Sequence, residues 1–116
     1  MKQNESKINY RDKEYTIVFN LNVMEAIQEE YGTIDAWAKL TDGSEGGEPN
    51  AKAVIFGFRE MINEGIDITN EENGTEDKFL TLKQVGRMIT EIGLLEATKK
   101  LNNTVIDSTE SAEKNA

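Results

Sequence analysis

The sequence contains no cysteine and no histidine, and it has one proline and one tryptophan in 116 residues. Without cysteine, no disulfide can stabilise the fold, and thiol chemistry and thiolate zinc sites are excluded. Without histidine, Ser-His-Asp triads, imidazole proton transfer and histidine-based metal sites are also excluded. Acid–base chemistry would therefore have to rest on carboxylates.

The carboxylates do not form a pattern that is typical of a catalytic or metal site. Glu25 and Glu29 come nearest to a pair on one helix face, and we interpret them as solvated surface residues. An EF-hand loop needs Asp first, Gly sixth and Glu twelfth, but counting from Gly74 puts Thr69 first and Leu80 twelfth. No phosphate-binding glycine motif is present. We therefore predict no catalytic, metal-binding or cofactor-binding residues, and a protein that is not an enzyme.

Positive charge is scarce, because 22 acidic residues stand against 13 Lys and Arg, for a formal net charge of −9. Binding to nucleic acid depends largely on Lys and Arg that neutralise phosphates. We therefore predict no nucleic-acid partner and no docking on an anionic membrane. No window approaches the ~18 apolar residues of a membrane span, and the first residues lack a signal-peptide pattern. The sequence favours an intracellular soluble protein.

Alternating apolar residues near the start predict a β-hairpin. The strands are expected over 7–10 and 15–21, around a turn at 11–14. The inward face of the second strand is expected to consist of Tyr15, Ile17, Phe19 and Leu21. A hairpin alone is marginally stable, so it must pack against the helices that follow.

Capping residues and apolar periodicity predict four to five short helices after the hairpin. Asn22 with Glu25 should cap the first, Thr33 the second, Asn50 the third, and Thr81 with Gln84 the fourth. The predicted ends are Gly32 for the first helix, Gly65 for the third, Gly93 for the fourth and about Asn102 for the last. The fold class is therefore α+β, mostly α-helical, with an N-terminal β-hairpin packed on these helices.

One domain is expected, because 116 residues support a single modest core. We predict a flexible N-terminus over 1–6, a single domain over 7–103 and a disordered polar tail over 104–116. Glycine-rich or acidic composition predicts mobile loops at 42–50 and 67–79.

Three aromatic residues are candidates for partner contacts: Trp37, Phe56 and Phe58. Aromatic residues at helical spacing are usually part of the core. Phe56 is the strongest candidate, because it lies beside the main apolar stripe of its helix.

The order of these features resembles the small tail assembly chaperones of long-tailed phages and prophages of Gram-positive hosts. The resemblance rests on a hairpin leading into an acidic helix, "YTIVFNLNVMEAIQEEYG", on "FREMINEGIDITNEENG" after an apolar helix, and on a capped helix, "LTLKQVGRMIT". It covers about residues 7–103.

The resemblance implies a non-catalytic role in phage tail assembly. Such proteins bind the aggregation-prone tape measure protein in the bacterial cytoplasm, deliver it for tail tube assembly, and are absent from the mature virion. The implied partners are the tape measure protein and, as a second candidate, the tail tube protein. A client helix would need an apolar groove, which we expect between the helix at 51–64 and the Trp37 helix.

The charge of −9 supports a different reading, an acidic prophage regulatory or inhibitory protein that binds a basic host protein. Binding that weakens with salt would favour this alternative, and salt-tolerant apolar binding would favour the chaperone.

Overall fold

The computed structural model describes residues 4–44 and 46–114, with side chains over 5–44 and 46–105. The predicted fold class, α+β and mostly helical, is confirmed. The described elements in chain order are β1 (Asn4–Tyr10), β2 (Lys13–Phe19), α1 (Leu21–Tyr31), α2 (Ile34–Asp42), α3 (Ala51–Asn73), α4 (Leu82–Ile92) and α5 (Leu94–Lys114). Among the described helices, none has the length and apolarity needed to cross a membrane.

The hairpin turns tightly between β1 and β2. Arg11 and Asp12 both have positive φ, 50° and 62°, as a type I′ turn requires. Neither residue is glycine, so the turn needs support from elsewhere. The Arg11 guanidinium lies 2.8 Å from a Glu91 carboxylate oxygen on α4, and 5.2 Å from the Tyr10 ring centroid. The turn is thereby tied to a helix distant in the sequence.

The first helix begins two residues earlier than its sequence pattern predicts. Asn20, rather than Asn22, is the N-cap, and its side-chain oxygen accepts a hydrogen bond from the Val23 amide at 3.3 Å. The strand therefore ends at Phe19, and Leu21 is the first helical residue. Leu21 is 64% exposed, so the prediction that it completes the inward strand face is wrong.

Replacing Asn20 by alanine should therefore cost more stability than replacing Asn22. Asn20 caps α1 and also donates to Glu64 at 2.6 Å, whereas the exposed Asn22 only donates to Glu64 at 2.9 Å. We expect Asn20→Ala to lower the free energy of unfolding by about 1–2 kcal/mol and Asn22→Ala by less than about 0.5 kcal/mol. Urea unfolding of both variants measures this. Equal losses would contradict Asn20 as the cap.

The central helix α3 is longer than predicted and carries much of the core. Its larger buried apolar side chains are Val54, Phe58, Met61 and Ile62. It continues through Gly65 and ends at Gly74, which has a left-handed φ of 66°. The prediction that Gly65 ends the helix is wrong, because this glycine instead permits close packing against β2. The predicted loop at 67–79 is accordingly helical as far as Asn73.

Trp37 fills the space between α2 and α3, where we predicted a client groove. Its ring is fully buried, and its Nε1 donates to the Ala53 carbonyl oxygen at 3.0 Å. A Cβ added at Gly57 would overlap the Trp37 ring and lie 3.2 Å from Leu101 of α5. This contact is too close to leave a groove between the two helices.

Regular secondary structure extends toward both chain ends. Within the predicted N-terminal segment 1–6, residues 4–6 belong to β1, and the Ser6 hydroxyl lies 2.9 Å from that of Thr104. Within the predicted C-terminal tail 104–116, residues 104–114 continue α5, and Thr104 and Val105 are buried. Residues 1–3 and 115–116 lie outside the described ranges. Within the predicted loop at 42–50, Asp42 is the last residue of α2, and residues 43–44 and 46–50 form a non-helical connection to α3.

The last two helices begin as predicted but expose some of their leucines. The Thr81–Gln84 capping box is present, with hydrogen bonds of 2.8 and 3.1 Å. The buried face of α5 includes Ala97, Leu101 and Thr104. Leu95 falls outside this face and is 71% exposed.

Candidate partner-binding grooves

An apolar groove of about 590 Å³ lies between α3 and α4, and we call it the α3–α4 groove. Its apolar part is formed by Ile55, Phe56, Leu82 and Gly86. Its charged lining residues are Lys52, Arg59, Lys83 and, from the end of α1, Glu30. The groove opens to solvent beside Leu82, whose side chain is 46% exposed. It can accept apolar side chains of a partner.

Phe56 is held in place within this groove. Its ring meets the Tyr31 ring edge to face, with centroids 5.5 Å apart and planes at 75°. The Arg59 guanidinium also lies near the Phe56 ring, 6.0 Å from its centroid. A half-buried ring fixed in this way is preorganised for contact with a second apolar surface.

Tyr31 has the most unusual polar group beside the groove. Its hydroxyl is buried and has no hydrogen-bond partner among the described residues. Burial raises the pKa of this hydroxyl, and the negative charge of neighbouring Glu30 raises it further. The hydroxyl therefore stays protonated at neutral pH, and it is the Tyr31 ring that contacts Phe56.

The three predicted contact residues occupy different environments. Trp37 and Phe58 have no exposed surface, so a partner could reach them only if the core opened. Phe56 lines the α3–α4 groove, and partner binding through it stays a prediction. The sequence pattern correctly separated Phe56 from the fully buried Phe58, because Phe56 lies beside the main apolar stripe of α3.

A second groove, of about 780 Å³, runs between α3 and the segment before α4, and we call it the acidic groove. Glu60, Glu64 and Asp67 line it at spacings of four and three residues. Glu60 is paired with Arg59 at 3.0 Å, and Glu64 accepts the two asparagine hydrogen bonds described above. Two of the three carboxylates therefore already have partners within the chain.

Two asparagines of α3 hold the segment that joins α3 to α4. Asn63 accepts from the Leu80 amide at 2.8 Å and donates to the Leu80 carbonyl oxygen at 3.1 Å. Asn70 accepts from the Asp77 amide and donates to the Asp77 carbonyl oxygen, both at 3.0 Å. These bonds place Phe79, which is 55% exposed, at the edge of the acidic groove.

Titratable groups with shifted pKa values lie at separate places. The carboxylate of Glu91 raises the pKa of Arg11 at the hairpin turn. Hydrogen bonds from Ser44 lower the pKa of Asp42 at the end of α2. Over the described ranges, no group of three Asp or Glu side chains is placed to hold a metal ion.

Sequence reasoning missed the residues that combine with Phe56 to make the groove. Leu82 is the first residue of α4 and protrudes beyond the buried face of that helix. The sequence did not indicate that Gly86 lines a groove. A glycine inside a helix indicates that another segment approaches closely, but it does not show which segment or on which side. The buried face of α4 consists instead of Val85, Met88 and Ile89.

Comparisons of this chain with protein-family models, with curated proteins and with solved structures find no match.

Proposed function

We propose that this protein is a phage tail assembly chaperone, which binds the tape measure protein in the bacterial cytoplasm and delivers it for tail tube assembly. The proposal rests on the resemblance in the order of elements and on one observation, the α3–α4 groove. A preorganised Phe56 and a partly exposed Leu82 both line this groove, on an otherwise highly charged chain. A chaperone of this kind needs an apolar contact surface and a charged exterior that keeps the complex soluble.

A residue that fills the groove should abolish client binding without unfolding the protein. Gly86 lines the groove, and a Cβ placed there would lie 3.6 Å from the Ile55 Cδ1 atom, an ordinary contact. We expect Gly86→Leu to cover the apolar floor. Co-purified tape measure protein should then fall about tenfold or more, because blocking a central anchor typically costs about 2 kcal/mol of binding.

The experiment is co-expression with the tape measure protein of the genome that encodes this chain, followed by measurement of soluble and co-purified client. Gly86→Ala is the matched control, since its methyl group leaves the groove open. Urea unfolding shows whether both variants remain folded. If the unmodified chain neither solubilises nor co-purifies the tape measure protein, the proposed function is wrong.

The acidic inhibitor is the second proposal, and the acidic groove is the observation that favours it. Because α3 extends to Asn73, Glu60, Glu64 and Asp67 lie along one face. We rank it second, since Glu60 and Glu64 already have partners within the chain. Binding to a basic protein that is lost between low and moderate salt would favour it over the chaperone.

A further inference from the structure

The charge of the α3–α4 groove is opposite to that of the chain as a whole. Among the described residues, those that line the groove include the basic Lys52, Arg59 and Lys83 and a single acidic residue, Glu30. The whole chain has 22 acidic and 13 basic residues. A concentration of cations around an apolar floor in so acidic a chain points to a partner with complementary charge.

The cations of this groove are largely unpaired. Lys52 and Lys83 form no ion pair with any described residue. The Arg59 guanidinium contacts Glu60 at 3.0 Å through Nη2. Its Nε is buried and has no acceptor among the described residues. The two lysines can therefore form ion pairs with an incoming ligand without first breaking one within the chain, whereas Arg59 already contacts Glu60.

The cations lie at both ends of the apolar floor. Lys52 and Arg59 are seven residues apart on α3, with Ile55 and Phe56 between them, and two helical turns separate them by about 10 Å. Lys83 on α4 lies at the Arg59 end, because both residues also line the acidic groove. A helix laid in the groove would present carboxylates to both ends if they were also about seven residues apart.

We propose that the client segment is an amphipathic helix with apolar residues at i+3 and i+4 and with Asp or Glu at i and i+7. This inference rests on the proposed function and adds the charge pattern of the segment. Ion pairs at the exposed rim are each weak, so the flanking acids select among apolar helices more than they create affinity.

Three synthetic helical peptides with one shared apolar face test the inference. Their flanking residues at i and i+7 are Glu, Gln or Lys, and binding is followed by fluorescence anisotropy at low and moderate salt. We expect the Glu peptide to bind about tenfold more tightly than the Lys peptide at low salt. This preference should shrink as salt rises, while binding of the Gln peptide changes little.

A pair of charge-reversal variants locates the effect. Lys52→Glu with Lys83→Glu should reverse the order of the peptides, so that the Lys peptide binds more tightly. Lys99→Glu with Lys100→Glu is the matched control, because it changes the net charge equally on exposed positions of α5 that do not line the groove. The control should keep the preference for the Glu peptide.

The possible failures are distinguishable. If the three peptides bind equally, the proposed flanking-charge pattern is wrong, and only the proposal of apolar binding in the groove is retained. If none binds and the tape measure protein is not retained either, the proposed function fails. Sedimentation of the chain without any partner tests a third case, in which a second copy of the chain occupies the groove. A dimer that dissociates in the Lys52→Glu, Lys83→Glu variant would show this and overturn the inference.

Discussion

Replacing Phe19 by aspartate should leave the chain unfolded in water at 25 °C. Phe19 is fully buried at the end of β2, within the main core. Loss of a buried Phe side chain costs about 3–5 kcal/mol. The new carboxylate adds the further cost of an unpaired buried charge. Together these losses approach the total stability of about 5–15 kcal/mol that is typical of a small domain. Far-ultraviolet circular dichroism should therefore show a loss of helix.

Leu21→Asp is the matched control for this experiment. Leu21 lies two residues further along but is 64% exposed at the start of α1. An exposed substitution changes stability by less than about 0.5 kcal/mol, and a carboxylate near a helix N-terminus is favourable. The control should fold normally. A folded Phe19→Asp protein with an unchanged urea midpoint would refute burial of this strand face.

Gly65→Ala should destabilise the domain by about 3 kcal/mol, near the upper end for overpacked cores. Alanine usually stabilises a helix relative to glycine by about 1 kcal/mol. At Gly65, however, the added Cβ would overlap the backbone carbonyl oxygen of Thr16 on β2. Backbone cannot move aside as a flexible side chain can, so α3 would have to shift away from the strand. Urea unfolding measures the loss.

Gly86→Ala tests the same substitution where space is available. Gly86 is also inside a helix, and its nearest neighbour outside that helix would be 3.6 Å from the new Cβ. We expect stabilisation by about 1 kcal/mol. The two alanine variants should therefore shift the urea midpoint in opposite directions. Stabilisation by both would mean that α3 does not approach β2 as closely as described.

Local signals in the sequence predicted the elements well, because a cap depends on hydrogen bonds within three or four residues. Thr33, Asn50 and Thr81 cap their helices as predicted, and Gly32 ends α1. The misplaced end of α3 shows how such a prediction fails, because glycine has two different uses in helices. Gly65 could end a helix or admit a neighbouring strand, and nothing near it in the sequence separates these uses.

The sequence by itself determined the fold class, most helix starts and the exclusion of chemistry that needs cysteine or histidine. The tertiary structure alone decided which apolar residues stay at the surface and which charges surround them. Lys52 and Lys83 are 31 residues apart in the chain and share one groove only because α4 packs beside α3. Capping is a local interaction, whereas exposure depends on packing between distant segments, which no short stretch of sequence encodes.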